Sequence, residues 1–244
     1  MAWQAPKINW AAADGVRDSD FNRIEENILY LYNRRANADV TVYVSTSGND
    51  STGDGSYAKP YRTVTKALNS VPRVTEGKTI TVDINAGTYS ENVVIKDFVG
   101  SVVLQATGVV TITSINIDNS TVLHAGQQLN FPSGMLLKNG AAWIGAPTVY
   151  VGSAQIGIAV ETGSTFIVYG TVTISNASSA ALDVSGCSRA YVATLGGSTN
   201  VIGARAISGS IIAYGSMSIS ATTQRVTNTG GRIYTGAQTN MPNY

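Results

Sequence analysis

Glu161, Asp183 and Arg205 follow one another in equal steps of 22, in a half of the chain whose other charged residues are Lys138, Arg189, Arg225 and Arg232. Glycoside hydrolysis needs two carboxyl groups about 5 to 9.5 Å apart, and stacked β coils place equivalent residues about 4.8 Å apart. Glu161 and Asp183 are therefore the best catalytic pair in the sequence. The same three residues also read as a charge ladder at a solvated corner, with Arg205 neutralising both acids. Exposed ion pairs of that kind contribute little, and the ladder is the preferred reading.

Other reactive groups give less. Asp97 and Asp118 are separated by a step of 21 and could share a face, yet no arginine occurs between positions 74 and 188 to complete an esterase groove. A lyase needs a base to take a proton, and usually a cation beside the uronate; neither can be placed. Cys187, the only cysteine, excludes an intrachain disulfide and reads as a small buried filler, with the only histidine, His124, about three coils away. The loop Ser45 to Gly55 is rich in Asn, Asp and Gly, but it lacks the alternation and terminal glutamate of a calcium loop, so no metal is expected. No cofactor is expected either.

Tyr169, Tyr191, Tyr214 and Tyr234 recur in steps of 22, 23 and 20. Facing outward, such a ladder would offer stacking platforms for sugar rings. Facing inward or between subunits, it would be structural. The structural reading is preferred because Gly170 and Gly215, directly after two of the tyrosines, have the character of corner residues.

These residues sit in a repeating frame. The stretches 164–175 and 210–220, with 140–151 as a weaker copy, belong to about seven repeats spaced roughly 20 to 24 residues apart. Units of that length, rich in Val, Ile, Thr and Ser, cannot bury an apolar face alone and must stack as a solenoid. An all-β parallel β-helix is predicted, with strands at 79–84, 93–95, 102–104 and 109–113. Several are apolar at consecutive positions, so the outer side also asks for cover, as where coils pack on neighbouring subunits.

The net charge is +1, and the later coils lack the dense basic stripe that nucleic-acid binding requires. No run of about 18 apolar residues and no apolar segment after a basic start occurs, so neither membrane insertion nor a secretory signal is expected.

Three parts are expected: 1–38, a segment ending in a helix; 39–78, a lead-in strand, loop and capping helix; and 79–244, the shaft. A helix is predicted over 18–35, with Asp18, Ser19 and Asp20 as N-caps and Arg34 and Arg35 closing it. Its apolar residues Phe21, Ile24, Ile28 and Leu31 are spaced three, four and three, the seam of a short coiled coil. About two heptads do not associate stably alone. The seam is either a register device beside a larger oligomer interface or a face packed on the helix's own domain. A strand at 40–44 and a short helix with Val64, Ala67, Leu68 and Val71 on one side follow.

Two resemblances extend this reading. Tyr43-Val44-Ser45, Gly48-Asn49-Asp50, Lys59-Pro60-Tyr61-Arg62-Thr63, Ala67-Leu68 and Ala86-Gly87-Thr88-Tyr89-Ser90-Glu91-Asn92-Val93-Val94-Ile95 resemble the first coil of right-handed parallel β-helix proteins of the pectin-lyase-like superfamily, in particular phage tailspikes and pectin methylesterases. The likeness covers residues 40 to 236 and speaks for fold, since the downstream esterase motifs are missing. Trp3, Pro6-Lys7, Asn9-Trp10, Asp14-Gly15-Val16, Asp20 to Ile28 and Tyr30-Leu31 resemble the leader of tail and baseplate-associated proteins of phages and prophages of Gram-positive bacteria. That resemblance implies a virion tail fibre or spike assembled in the host cytoplasm. It also implies attachment to a tail or baseplate protein through the N-terminus and a C-terminal part facing host-surface polysaccharide, while the short seam and the strands apolar on both faces lead to the expectation of a homotrimer. A polysaccharide depolymerase and a virion decoration without receptor are the rival readings.

Overall fold

The structure is a computed structural model that describes residues 4–7, 14–32, 35–146 and 148–235. Trp3, Asn9 and Trp10 of the leader motif, and Arg34, lie outside the described residues.

Strands dominate, and every strand pairing among the described residues is parallel, forming a solenoid of about seven turns. Three ladders make its walls. The first, face A, starts with Val40–Val44 and Ile80–Ile84, and Ile80, Val102, Val122, Trp143, Phe166, Ala190, Ile212 and Ile233 are successive partners along it, one from each coil. Face B runs through Val110, Leu129, Val149, Val172, Leu195 and Met217. Face C runs through Ile117, Leu137, Val160, Val184, Ala206 and Thr227.

The period-2 alternation of each strand turns Val, Ile, Leu and Phe inward. The burial of Ile80, Val82 and Ile84, then Val102, Leu104 and Ala106, is complete or nearly so. On face C the series in register with the core residues runs from Leu182 and Val184 through Ala204 and Ala206 to Arg225 and Thr227, which are polar and exposed.

Corners use left-handed backbone. Asn139, Thr162, Ser208 and Thr229 have φ of 57°, 55°, 54° and 49°, and each precedes a glycine that is also left-handed. Just beyond them a column of small residues points into the core. Ser120 Oγ accepts from Phe98 N (3.0 Å), Ser188 Oγ from Ser164 N (3.1 Å) and Ser210 Oγ from Ser188 N (3.1 Å). Each hydroxyl satisfies a backbone N–H that the corner frees, a contribution of about 1 kcal/mol. Ser164 Oγ has no partner, and Ala141 N, its neighbour in the preceding coil, donates to Lys138 O.

Helix α1 spans Asp18–Tyr32. It stops short of the predicted residue 35, whose backbone instead bridges Val74 beside the first coil. The leader is fastened to the polar side of α1: Asn27 Oδ1 accepts from Gln4 N, and Asn27 Nδ2 donates to Gln4 O, both at 2.9 Å. The apolar side is bare, with Phe21, Ile24, Ile28 and Leu31 between 48% and 61% exposed. Among the described residues, then, nothing of the chain's own domain covers that seam.

Helix α2, Val64–Ser70, buries Val64, Ala67 and Leu68 as the sequence predicts. Its start is doubly capped. Thr63 Oγ1 accepts from Lys66 N (3.1 Å), while Glu91 accepts from Val64 N (2.7 Å), Thr65 N (3.0 Å) and Thr65 Oγ1 (2.5 Å). Tyr89, two residues earlier, donates its hydroxyl to Asn85 O at 2.8 Å. Burial first, and then the Glu91 charge, push the Tyr89 phenol up to about 12. The Gly87 to Glu91 motif thus ties the first coil to the start of α2.

Candidate functional site

Asp183 lies mid-strand in Ala180–Val184 and is 7% exposed, so the solvated corner expected for it is corrected. It points outward, opposite to Leu182 and Val184. Its partner in the next coil is Arg205, whose Nε donates to Oδ1 (3.1 Å) and Nη2 to Oδ2 (2.5 Å). Both carboxylate oxygens meet one planar guanidinium, the strongest form of ion pair. The Asp183 contact raises the Arg205 pKa further above its ordinary value.

Glu161 does not join them. The partner of Asp183 in the preceding coil is Ala159, and Glu161 falls two residues later, past the end of Ile156–Val160. The one-coil stacking of the acidic pair is thus corrected, and Arg205 neutralises one acid rather than two.

Asp97 and Asp118 are also out of step, because Asp118 pairs in register with Lys96 and Lys138. Asp118 Oδ1 accepts from Asn139 Nδ2 at 2.8 Å, and that bond, with the Lys138 charge, lowers its pKa. Asp97 Oδ1 accepts from Asn119 Nδ2 at 3.2 Å. This is a charge-alternating corner.

The acceptors of the 45–55 loop are taken up by the loop itself and by the entry to α2. Asp50 Oδ1 accepts from Arg62 N and Thr63 N, and its Oδ2 accepts from Thr63 Oγ1. Asn49 Oδ1 serves Ser51 N and Thr52 N. Among the described residues no group of three His, Cys, Asp or Glu side chains could hold a metal ion. Cys187 is exposed rather than a buried filler, because it occupies a corner with left-handed backbone.

The four tyrosines do not form one ladder. Tyr191 and Tyr234 share an outward column of face A, with Ala213 between them. Tyr214 belongs to the inward column after Val168 and Val192, and it is 3% exposed. Arg225 lies over its ring at 5.8 Å. Tyr169 is 62% exposed at the corner, with its ring 5.9 Å from that of Tyr191. Gly170 and Gly215 do stand at corners, between the face A and face B segments of their strands.

A groove of about 450 Å³ between α2 and the strand Gly87–Lys96 was not foreseen. Thr65, Asn69, Arg73, Asn92, Val94, Lys96 and Asp97 line it. Arg73 is fixed there: Nη1 donates to Lys96 O and Nη2 to Asn69 Oδ1, both at 3.0 Å, and the guanidinium lies 4.5 Å from the Phe98 ring centre. Val94 is the one apolar residue of the lining, and hydroxyl, amide, guanidinium, ammonium and carboxylate groups make up the rest. No single stretch of sequence holds this groove, since helix and strand both contribute to it.

No protein-family model, curated protein or solved structure matches this chain.

Proposed function

We propose that the chain is a phage or prophage tail fibre or short spike. It is a non-catalytic homotrimer, fixed by its N-terminal segment to a tail or baseplate protein, and its right-handed β-helix shaft contacts host-surface polysaccharide. The observation that carries this reading is a solenoid shaft preceded by a helix whose apolar seam has no partner among the described residues. Three such helices bury Phe21, Ile24, Ile28 and Leu31 against one another, and α2 caps the first coil. The second half of the leader motif of tail and baseplate-associated proteins, Asp20 to Ile28 and Tyr30-Leu31, falls on the same helix, which supports attachment at this end. Sugar contact is assigned to the groove beside Arg73 and to the exposed Tyr169 ring.

The occupied carboxylate of Asp183 supports a binding role over hydrolysis. Changing Glu161 and Asp183 together to their amides leaves host-cell adsorption unchanged, and the parent releases neither reducing ends nor unsaturated sugars from host polysaccharide. Product formed by the parent and lost in the double amide would establish a depolymerase instead. Arg73→Ala and Tyr169→Ala weaken adsorption at least tenfold in combination; adsorption equal to the parent's would leave a decoration without receptor.

The seam gives a separate result. Ile24→Asp with Ile28→Asp places unpaired charge in the helix bundle and separates the N-terminal segments, while the far-ultraviolet β signal of the shaft persists. An unchanged melting profile and mass in the double variant would remove α1 from any subunit contact.

A further inference from the structure

The three walls of the solenoid differ sharply on their outer sides. On face B the outward column reads Thr88, Thr111, Asn130, Tyr150, Thr173, Gly196, Ser218, hydroxyl and amide groups almost throughout. On face C it reads Val94, Asn116, Leu136, then Ala159, Asp183, Arg205 and Val226, broken by the ion pair. On face A the outward column is Val103, Leu123, Ile144, Ile167, Tyr191, Ala213, Tyr234, seven consecutive coils without a charge or an aliphatic hydroxyl. These positions are outward because their strand neighbours Val102, Val122, Trp143, Phe166, Ala190 and Ile212 fill the core.

We infer that face A is the surface by which copies of this chain bury one another, running parallel around a common axis. This deepens the trimer reading and rests on it. Six coil steps of about 4.8 Å and a strand width of about five residues make the wall roughly 29 Å by 16 Å, or about 450 Å². With its margins of Ser101, Thr121, Thr165, Arg189 and Arg232 included, that wall is about half of one partner's share in a stable interface. The bare seam of α1 supplies much of the remainder. Neither surface suffices alone, and both are satisfied together only when the copies point the same way, so that every α1 lies at the same end.

A second copy fits because it carries the same coil spacing: an apolar side chain every coil on one chain meets an apolar side chain every coil on the next. Like charges do not oppose it. Arg189 and Arg232 lie along one margin of the column, in register with Thr165 and Ile211, whereas the other margin, two residues past the column, holds Gln105 and Ala125 in earlier coils and Ala193 at the level of Arg189. Around a threefold axis one margin meets the other. The tyrosines are divided accordingly: Tyr191 and Tyr234 become intersubunit residues, and Tyr169 stays at the rim.

The test uses the full chain in a Cys187→Ser background, since Cys187 is exposed. Leu123→Cys and Tyr191→Cys, three coils apart, each form disulfide-linked pairs under mild oxidant, whereas Thr173→Cys on face B does not. An antiparallel pairing would link a mixture of the first two variants but neither alone, and would overturn the inference. Ile144→Asp with Ile167→Asp converts the assembly to a folded monomer at micromolar concentration by native mass spectrometry, its β signal retained. If that variant keeps the parent's mass, or if Thr173→Cys links as well as Leu123→Cys, face A is not the interface. A parallel dimer linked at both positions would keep the face and refute the trimer; host-cell adsorption reads the binding function independently of either.

Discussion

Alanine in place of Trp143 lowers the unfolding free energy by about 3 to 5 kcal/mol. Trp143 is among the largest side chains with no exposure, and it stacks in the inward column between Val122 and Phe166. Its ring meets Phe131 edge-on, with centroids 6.1 Å apart, and His124 at 5.3 Å. Phe131 comes from face B, so the indole joins two walls of the solenoid as well as two coils. Its loss leaves a cavity that rigid strands on every side cannot close. A solenoid is stabilised coil by coil through nearest neighbours. The damage is therefore local: amide exchange accelerates in the coils holding Val122 and Phe166 and much less at Ile80. Urea unfolding with hydrogen exchange read by mass spectrometry checks both points. A loss below about 1 kcal/mol, or acceleration spread evenly along the chain, contradicts them. Trp143→Phe is far milder than alanine, because the indole N–H has no hydrogen-bond partner to lose.

Acid weakens the fold through His124. The ring is 4% exposed, and its Nε2 lies 2.9 Å from Gln127 O, which must accept the Nε2 proton. Nδ1 is then a bare acceptor with no partner. A second proton would sit on Nδ1 in the apolar core, and burial accordingly draws the pKa down to about 4 from an ordinary 6.5. Between those two values the unfolded chain binds the proton and the folded chain does not, so stability rises with pH across the window and falls as pH drops through it. The full difference is about 3 kcal/mol. Carboxylates titrate in the lower part of the same range, so the measurement is the difference between the parent and His124→Leu. Leucine continues the inward column from Leu104 and has no proton to take. The parent loses about 3 kcal/mol more than the variant between pH 7 and pH 4; parallel curves would show that His124 protonates freely in the folded state. Gly145 is part of the same design, since a Cβ there would come within 2.9 Å of the His124 Cβ.

What the sequence determined by itself is whatever depends on short-range alternation. The strand Val40–Val44, the buried side of α2 and the inward columns all follow from the spacing of apolar residues, because a strand face repeats every second residue and a helix face every third or fourth. The parallel solenoid follows as well, since no single repeat can bury its own apolar side. The tertiary structure alone decided which residue of one coil meets which of the next. Corners of different length make the step between coils vary, and a slip of one residue turns a side chain to the other side of the wall. Asp183 and Arg205 meet because their spacing equals the local step between coils. Glu161 misses Asp183 because the local step is longer there and runs from Ala159 to Asp183. Tyr214 is turned inward because the local step from Tyr191 ends on Ala213, one position before it. The apolar wall of face A and the groove beside Arg73 were hidden for the same reason: each exists only after the corners have fixed the register, and neither occupies a continuous stretch of chain.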